Sequence, residues 1–157
     1  MFDSVFKRLS RRQMLFAMRF WPPFLGAGIR IQHVNEDLTE IVVSMKLQER
    51  NRNFVGTHYG GNLYSMCDPW YMFMLMWKLG NDYVVWDQAA EIEFTKPGKG
   101  TVTATFKVPL ERVESIRNEA DCGAKLLPEF HTTINDESGD VVARLRKVVY
   151  VRKKRVQ

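Results

Sequence analysis

GGNLYSMCDPWYMFMLMWKL, residues 60–79, decides how this chain is read. Leu63, Met66, Cys67, Trp70, Tyr71, Phe73, Met74, Leu75 and Trp77 put apolar side chains on nearly every face of a helix drawn through it. Such a helix must be enclosed by other structure. Its length is marginal for a membrane span, and Asp68-Pro69 stands at its centre, so the segment is predicted to be a buried core helix. Gly80-Asn81-Asp82 stops it.

Working outward, the flanking segments read as strands. Ile29 to Val34 is one, and Ile41, Val43, Met45 and Leu47 mark the inner face of a second. Ala90, Ile92 and Phe94 alternate with Glu91, Glu93 and Thr95. After the turn Pro97 to Gly100, Val102, Ala104, Phe106 and Val108 alternate with Thr101, Thr103, Thr105 and Lys107. Leu110, Val113 and Ile116 share one face of a short helix whose other face is charged. Residues 126–135 and 141–151 form a last hairpin around Asp136 to Asp140. The result is an α+β chain of five or six antiparallel strands and one apolar helix. A sheet wrapped around a long central helix is the economical way to bury it, and the open sheet edge invites dimerisation.

The ends carry much of the positive charge: Lys7, Arg8, Arg11 and Arg12 at one, Arg152, Lys153, Lys154 and Arg155 at the other. Residues 1–22 are expected to form an amphipathic helix ended by Pro22-Pro23; a transit peptide or a membrane-surface helix are the alternatives. Residues 153–157 are expected to be a basic tail. With 157 residues, 45% hydrophobic and 26% charged, a single domain over 1–157 is expected. The net charge of +5 sits on a nearly balanced body, which fits a small anionic ligand better than nucleic acid. Cys67 and Cys122 are too few for a disulfide framework. His33, His58 and His131 lack ligand spacing, so no metal is expected. Reduced cytoplasm is the expected compartment, with no stable membrane insertion.

The polar residues that could carry chemistry lie between Asn53 and Asp68. Gly60-Gly61 at a helix start lets a substrate oxygen approach unpaired N–H groups, an oxyanion-hole geometry; on the pair alone, a tight turn into a crowded helix or close helix–sheet packing is the leading explanation. Asp68 among Met66, Cys67, Trp70 and Tyr71 is costly to bury unpaired. It is either a general base toward water or the N-cap of a helix starting at Pro69. Asn53 can contact a carbonyl or a water, or simply serve its loop. His58 lacks an indicated partner, and Ser65 has no nucleophile context. The Met and aromatic stripe is core whose upper end can line an acyl slot.

At this segment the sequence resembles the hotdog-fold thioesterases. Their phenylacetate-type branch carries Asn, Gly, then His-Gly-Gly, then Asp on the central helix; Asn53, Gly56, Gly60, Gly61 and Asp68 stand at matching spacing. Tyr59 replaces the branch's His, and His58 stands one residue early. Over residues 20–152 the chain is more similar to a subgroup of that superfamily, the DUF4442 proteins, through Pro22 to Ile29, Gly56 to Pro69, Val85-Trp86-Asp87 and Lys96 to Gly100. The resemblance implies a hotdog fold in a homodimer or homotetramer with sites at subunit interfaces. It implies hydrolysis of an acyl thioester of coenzyme A or acyl carrier protein, with no cofactor beyond the coenzyme A of the substrate. Asp68 would activate water or attack the thioester carbon, the Gly60 N–H would polarise the carbonyl, and Asn53 would contact substrate or water. Thr57, His58, Tyr59, Gly61 and Tyr64 would line the substrate. Lys96, Lys99, Arg144, Arg146 or Arg152 would meet coenzyme A phosphates.

Two other readings compete. One is a non-catalytic acyl- or lipid-binding hotdog protein in which Asp68 is only a cap. The other, a dehydratase, would need His58 as its catalytic histidine. The environment of Asp68 separates the first of these from the hydrolase.

Overall fold

The computed structural model describes residues 10–154. The parts of the expected terminal helix and basic tail at residues 1–9 and 155–157 lie outside these. Helix α1 spans Arg11–Met18 and opens on a capping box: the Ser10 hydroxyl accepts from the Gln13 amide while the Gln13 side chain accepts from the Ser10 amide. Its Leu15 and Met18 are buried in the core. The expected single helix to residue 22 is corrected here. Pro22-Pro23 do not merely end a helix; they open a second, α2 (Pro22–Ala27). The first turn of a helix has no N–H bonds for proline to lose, and the fixed φ suits it. Gly28, at φ 76°, ends α2 in the left-handed region.

Six strands follow: β1 (Ile29–Val34), β2 (Glu40–Lys46), β3 (Tyr83–Phe94), β4 (Thr101–Lys107), β5 (Glu129–Asn135) and β6 (Val141–Lys153). They form one sheet in the order β1-β2-β4-β5-β6-β3, every pairing antiparallel. The helix lies against one face of the sheet. This is the hotdog architecture that the resemblance implies. Strand β6 reaches further than expected: Lys153 pairs with Tyr83 and bridges Asp121 at 3.1 Å, so it is strand and not tail.

The central helix is interrupted. It runs as α3 (Gly60–Ser65) and α4 (Trp70–Leu79), with a turn at residues 66–69 between them. Pro69 has no N–H, so the Ser65 carbonyl has no helical donor and the ladder breaks. The turn compensates: the Cys67 amide bonds the Tyr64 carbonyl at 2.8 Å and the Trp70 indole takes the Met66 carbonyl at 2.7 Å. The Phe73 amide then restarts the ladder on the Pro69 carbonyl.

Burial of α4 against the sheet is mainly aromatic. Tyr71 stacks on Phe130 with centroids 4.7 Å apart and meets Phe106 edge-on at 5.4 Å. Trp70 lies between Phe24 and Phe106, at 5.6 and 6.3 Å. Truncating a ring as enclosed as Trp70 to alanine costs about 3–5 kcal/mol. Helix α5 (Leu110–Asp121) turns Val113, Ile116 and Ala120 inward. Its Arg117 donates to the Lys78 and Leu79 carbonyls at 2.7 and 3.3 Å, closing the C-terminus of α4.

Candidate active site

The loop before α3 is built around two asparagines. Buried Asn51 donates to the Ala27 and Lys46 carbonyls, both at 2.8 Å, and accepts from the Gln48 amide. This pins the loop to α2 and β2. Asn53 accepts from the Val55 and Thr57 amides at 3.1 and 3.0 Å and donates to the Thr57 hydroxyl at 2.9 Å. Asn53 and Thr57 therefore spend their polar atoms on each other and on their own loop. Phe54 and Val55 stand exposed at its tip. With Glu49, Arg52 and Tyr59 this loop lines an open concavity of about 800 Å3.

His58 is 3% exposed. Its amide bonds the Gly98 carbonyl, and Nε2 lies 3.1 Å from the Gly100 carbonyl. Among the described residues, buried Nδ1 has no hydrogen-bond partner. Burial pushes the imidazole below its usual pKa, and the Gly100 bond only partly opposes this. The ring is a neutral anchor for the Pro97 to Gly100 turn.

Gly60 and Gly61 open α3, as expected. A Cβ on Gly60 would fall 3.0 Å from the Phe94 ring, and one on Gly61 would fall 2.5 Å from the Tyr59 ring. Two aromatic rings thus lie over the helix start, and the absence of side chains lets them approach.

Asp68 occupies the break between α3 and α4. It does not cap α4: Pro69 is the N-cap, and no side chain bonds the first turn. Instead the Tyr64 hydroxyl donates to Asp68 Oδ1 at 2.7 Å, and Lys147 Nζ donates to the same oxygen at 2.9 Å. Lys147 also lies 3.0 Å from Asp87 Oδ2 and 3.2 Å from the Tyr64 hydroxyl. The lysine side chain is 1% exposed and that of Asp68 47%, so the cluster is dry at the lysine and wet at Asp68. Among the described residues nothing bonds Asp68 Oδ2. Asp87 Oδ1 is buried and has no partner among the described residues.

Burial alone would lower the Lys147 pKa, but Asp68 and Asp87 outweigh it and hold it above the usual lysine value. It is an ammonium at neutral pH. Burial raises the Asp87 pKa above its ordinary value, against the pull of Lys147. Burial also raises the Tyr64 phenol, with the Asp68 bond adding and Lys147 opposing.

The structure thus brings Tyr64 and Asp68 together and groups Asn53, Thr57 and His58 in the loop, with Tyr59, Gly60 and Gly61 at the start of α3. It shows no hydrogen bond between Asp68 and residues 53–61. Of the basic residues expected to meet phosphates, Lys96 is paired with Asp136 and Asp140, and Arg146 with Glu129. Sequence reasoning passed over Lys147 and Asp87. The signal for Lys147 was its phase: it falls on the inward row of β6 with Ala143, Leu145, Val149 and Val151. Asp87 is harder to find, because a bulge between Asp87 and Ala89 shifts the inward row of β3 from odd to even positions.

Among the described residues no group of three His, Cys, Asp or Glu side chains gathers to hold a metal, and no helix is long and apolar enough to cross a membrane. The family model described as "Domain of unknown function (DUF4442)" matches residues 10–151. Solved structures share the fold. A protein of unknown function from Pseudomonas aeruginosa, described as a probable thioesterase, superposes with a TM-score of 0.72 at 19% identity over 97% of this chain and 96% of that one. A thioesterase from Haemophilus influenzae gives 0.68 at 17% identity over 94% of each chain. A protein of unknown function from Chlorobaculum tepidum gives 0.72 at 15% identity over 97% of this chain and 96% of that one. No curated protein matches the chain.

Proposed function

The chain belongs to the DUF4442 family, and from that premise we propose that it is an acyl-thioester hydrolase in which Asp68 activates water. One observation carries this reading. Asp68 is not spent on its own helix; one of its oxygens is clamped by Tyr64 and Lys147, and its side chain is half exposed. A carboxylate held by one oxygen presents the other at a fixed angle.

In the proposed reaction Asp68 Oδ2 takes a proton from water as the water oxygen adds to the thioester carbonyl carbon. The oxyanion so formed is met by the Gly60 N–H. The C–S bond then breaks, the thiolate takes the proton back from Asp68, and free acid and thiol leave. Direct attack by Asp68 through an anhydride gives the same products. No cofactor is required beyond the coenzyme A or carrier thiol of the substrate.

The separation of Asp68 from the 53–61 segment favours a homodimer, or a homotetramer built from it. Strand β3 is a 12-residue sheet edge. Pairing along it would join two sheets and bring the loop of one protomer toward the Asp68 of its partner. Asn53 in this arrangement shapes the loop more than it touches substrate. Tyr59, Gly61, Thr57 and His58 form the loop side of the site, and Tyr64 the helix side. The cytoplasm, where acyl thioesters are handled, is the proposed location.

The test is a panel of coenzyme A thioesters, from short acyl to aryl, read by thiol release, with sedimentation of the same preparation. Turnover of at least one thioester by a dimer supports the proposal. Binding of acyl ligands without turnover favours the acyl-binding reading, which the loop-bound Asn53 also suits.

A further inference from the structure

We propose that the face formed by α1 and α2 docks on an anionic lipid surface. This inference does not depend on the thioesterase reading. Leu15 and Met18 turn into the core, while Phe16 and Phe20 on the other side are 60% and 63% exposed. Trp21 and Leu25 are exposed beside them. Phe16 and Phe20 pack edge to face at 5.6 Å, and Trp21 leans on Phe24 at 5.2 Å. Four large apolar side chains within ten residues are therefore held in order while facing water, which marks an interaction surface.

The charge around this patch identifies the partner. A groove of about 400 Å3 adjoins it, lined by Phe20, Phe24 and Leu25 together with Arg19, Arg30 and Arg50 and, among the described residues, by no carboxylate. The Arg19 guanidinium is steadied by a bond to the Ile31 carbonyl at 3.3 Å. Among the described residues Arg30 and Arg50 form no salt bridge. The sequence adds Lys7, Arg8, Arg11 and Arg12 just ahead. Aromatic side chains ringed by arginines match the boundary between acyl chains and phosphate headgroups. A second copy of the chain is a poor occupant, since a two-fold contact would set these arginines against themselves. With only eight residues, α1 lies on the surface and does not cross it.

The experiment is flotation of the full chain with vesicles of phosphatidylcholine alone and of phosphatidylcholine mixed with phosphatidylglycerol. The chain is expected to float with the mixed vesicles, to stay behind with phosphatidylcholine alone, and to be released by salt. Phe16→Ser with Phe20→Ser should weaken binding about tenfold per ring withdrawn, with unchanged circular dichroism. Arg30→Glu with Arg50→Glu should also weaken it. Failure of the wild-type chain to float with the mixed vesicles overturns the proposal. So does binding that survives both pairs and is lost only when Lys7 and Arg8 are changed, which assigns the contact to the leading segment. If the Phe pair instead alters sedimentation without altering flotation, the patch is a contact between copies and the proposal falls.

Discussion

Lys147 Nζ lies 2.9 Å from Asp68 Oδ1, joining residues 79 positions apart in the chain. The same ammonium holds Asp87 Oδ2 at 3.0 Å. One buried positive charge thus serves two carboxylates, one from the helix break and one from the sheet edge. It ties the orientation of Asp68 to the register of β6 and β3.

Removing that charge should be costly. Lys147→Met leaves Asp68 and Asp87 facing each other without compensation, and the loss is expected near 3 kcal/mol, the lower end for a broken buried pair because Asp68 reaches water. Urea unfolding of Lys147→Met and of Lys147→Met/Asp87→Asn checks this. The double variant should recover part of the loss, and a single variant with the wild-type midpoint would refute the account.

Asp68→Asn keeps the shape of the side chain and an acceptor for Tyr64, while Lys147 retains Asp87. Folding and assembly should persist, while turnover of the best thioester falls on the order of a hundredfold or more. Wild-type turnover in this variant would remove Asp68 from the chemistry.

Gly60→Ala tests the oxyanion role. The added methyl meets the Phe94 ring, which is half exposed at the end of β3 and can give. Thermal stability should change little, but the methyl crowds the approach to the Gly60 N–H, and kcat/KM should fall about tenfold or more. Wild-type kcat/KM in Gly60→Ala would dismiss Gly60 as an oxyanion donor.

His58 is held neutral, with its pKa below the usual 6.5. The folded chain therefore binds fewer protons than the unfolded chain in the window just below that value. The associated stability is present above about pH 6.5 and is lost as the pH falls. His58→Gln keeps a donor for the Gly100 carbonyl and should flatten this dependence. Thermal midpoints at neutral pH and at about pH 5 measure it; parallel slopes in the two proteins would contradict it.

What the sequence determined by itself is local in origin. Period-two alternation in Val102 to Val108 marked the inward row of β4, because backbone geometry sends successive strand side chains to opposite faces. The all-round apolar character of residues 60–79 required enclosure, and Pro69 marked where the helix could break. Tertiary structure alone decided the rest. Pro22-Pro23 can close one helix or open the next, since the missing N–H is harmless at a first turn, and only packing of Phe24 against Trp70 selects the second helix. Asn53 reads in sequence either as a substrate or water contact or as a residue that serves its loop; the folded loop occupies its polar atoms. The pairing of Asp68 with Lys147 and Asp87 depends on strand register, which the bulge in β3 sets, and contacts across such separations arise from registers and packing that no local pattern encodes.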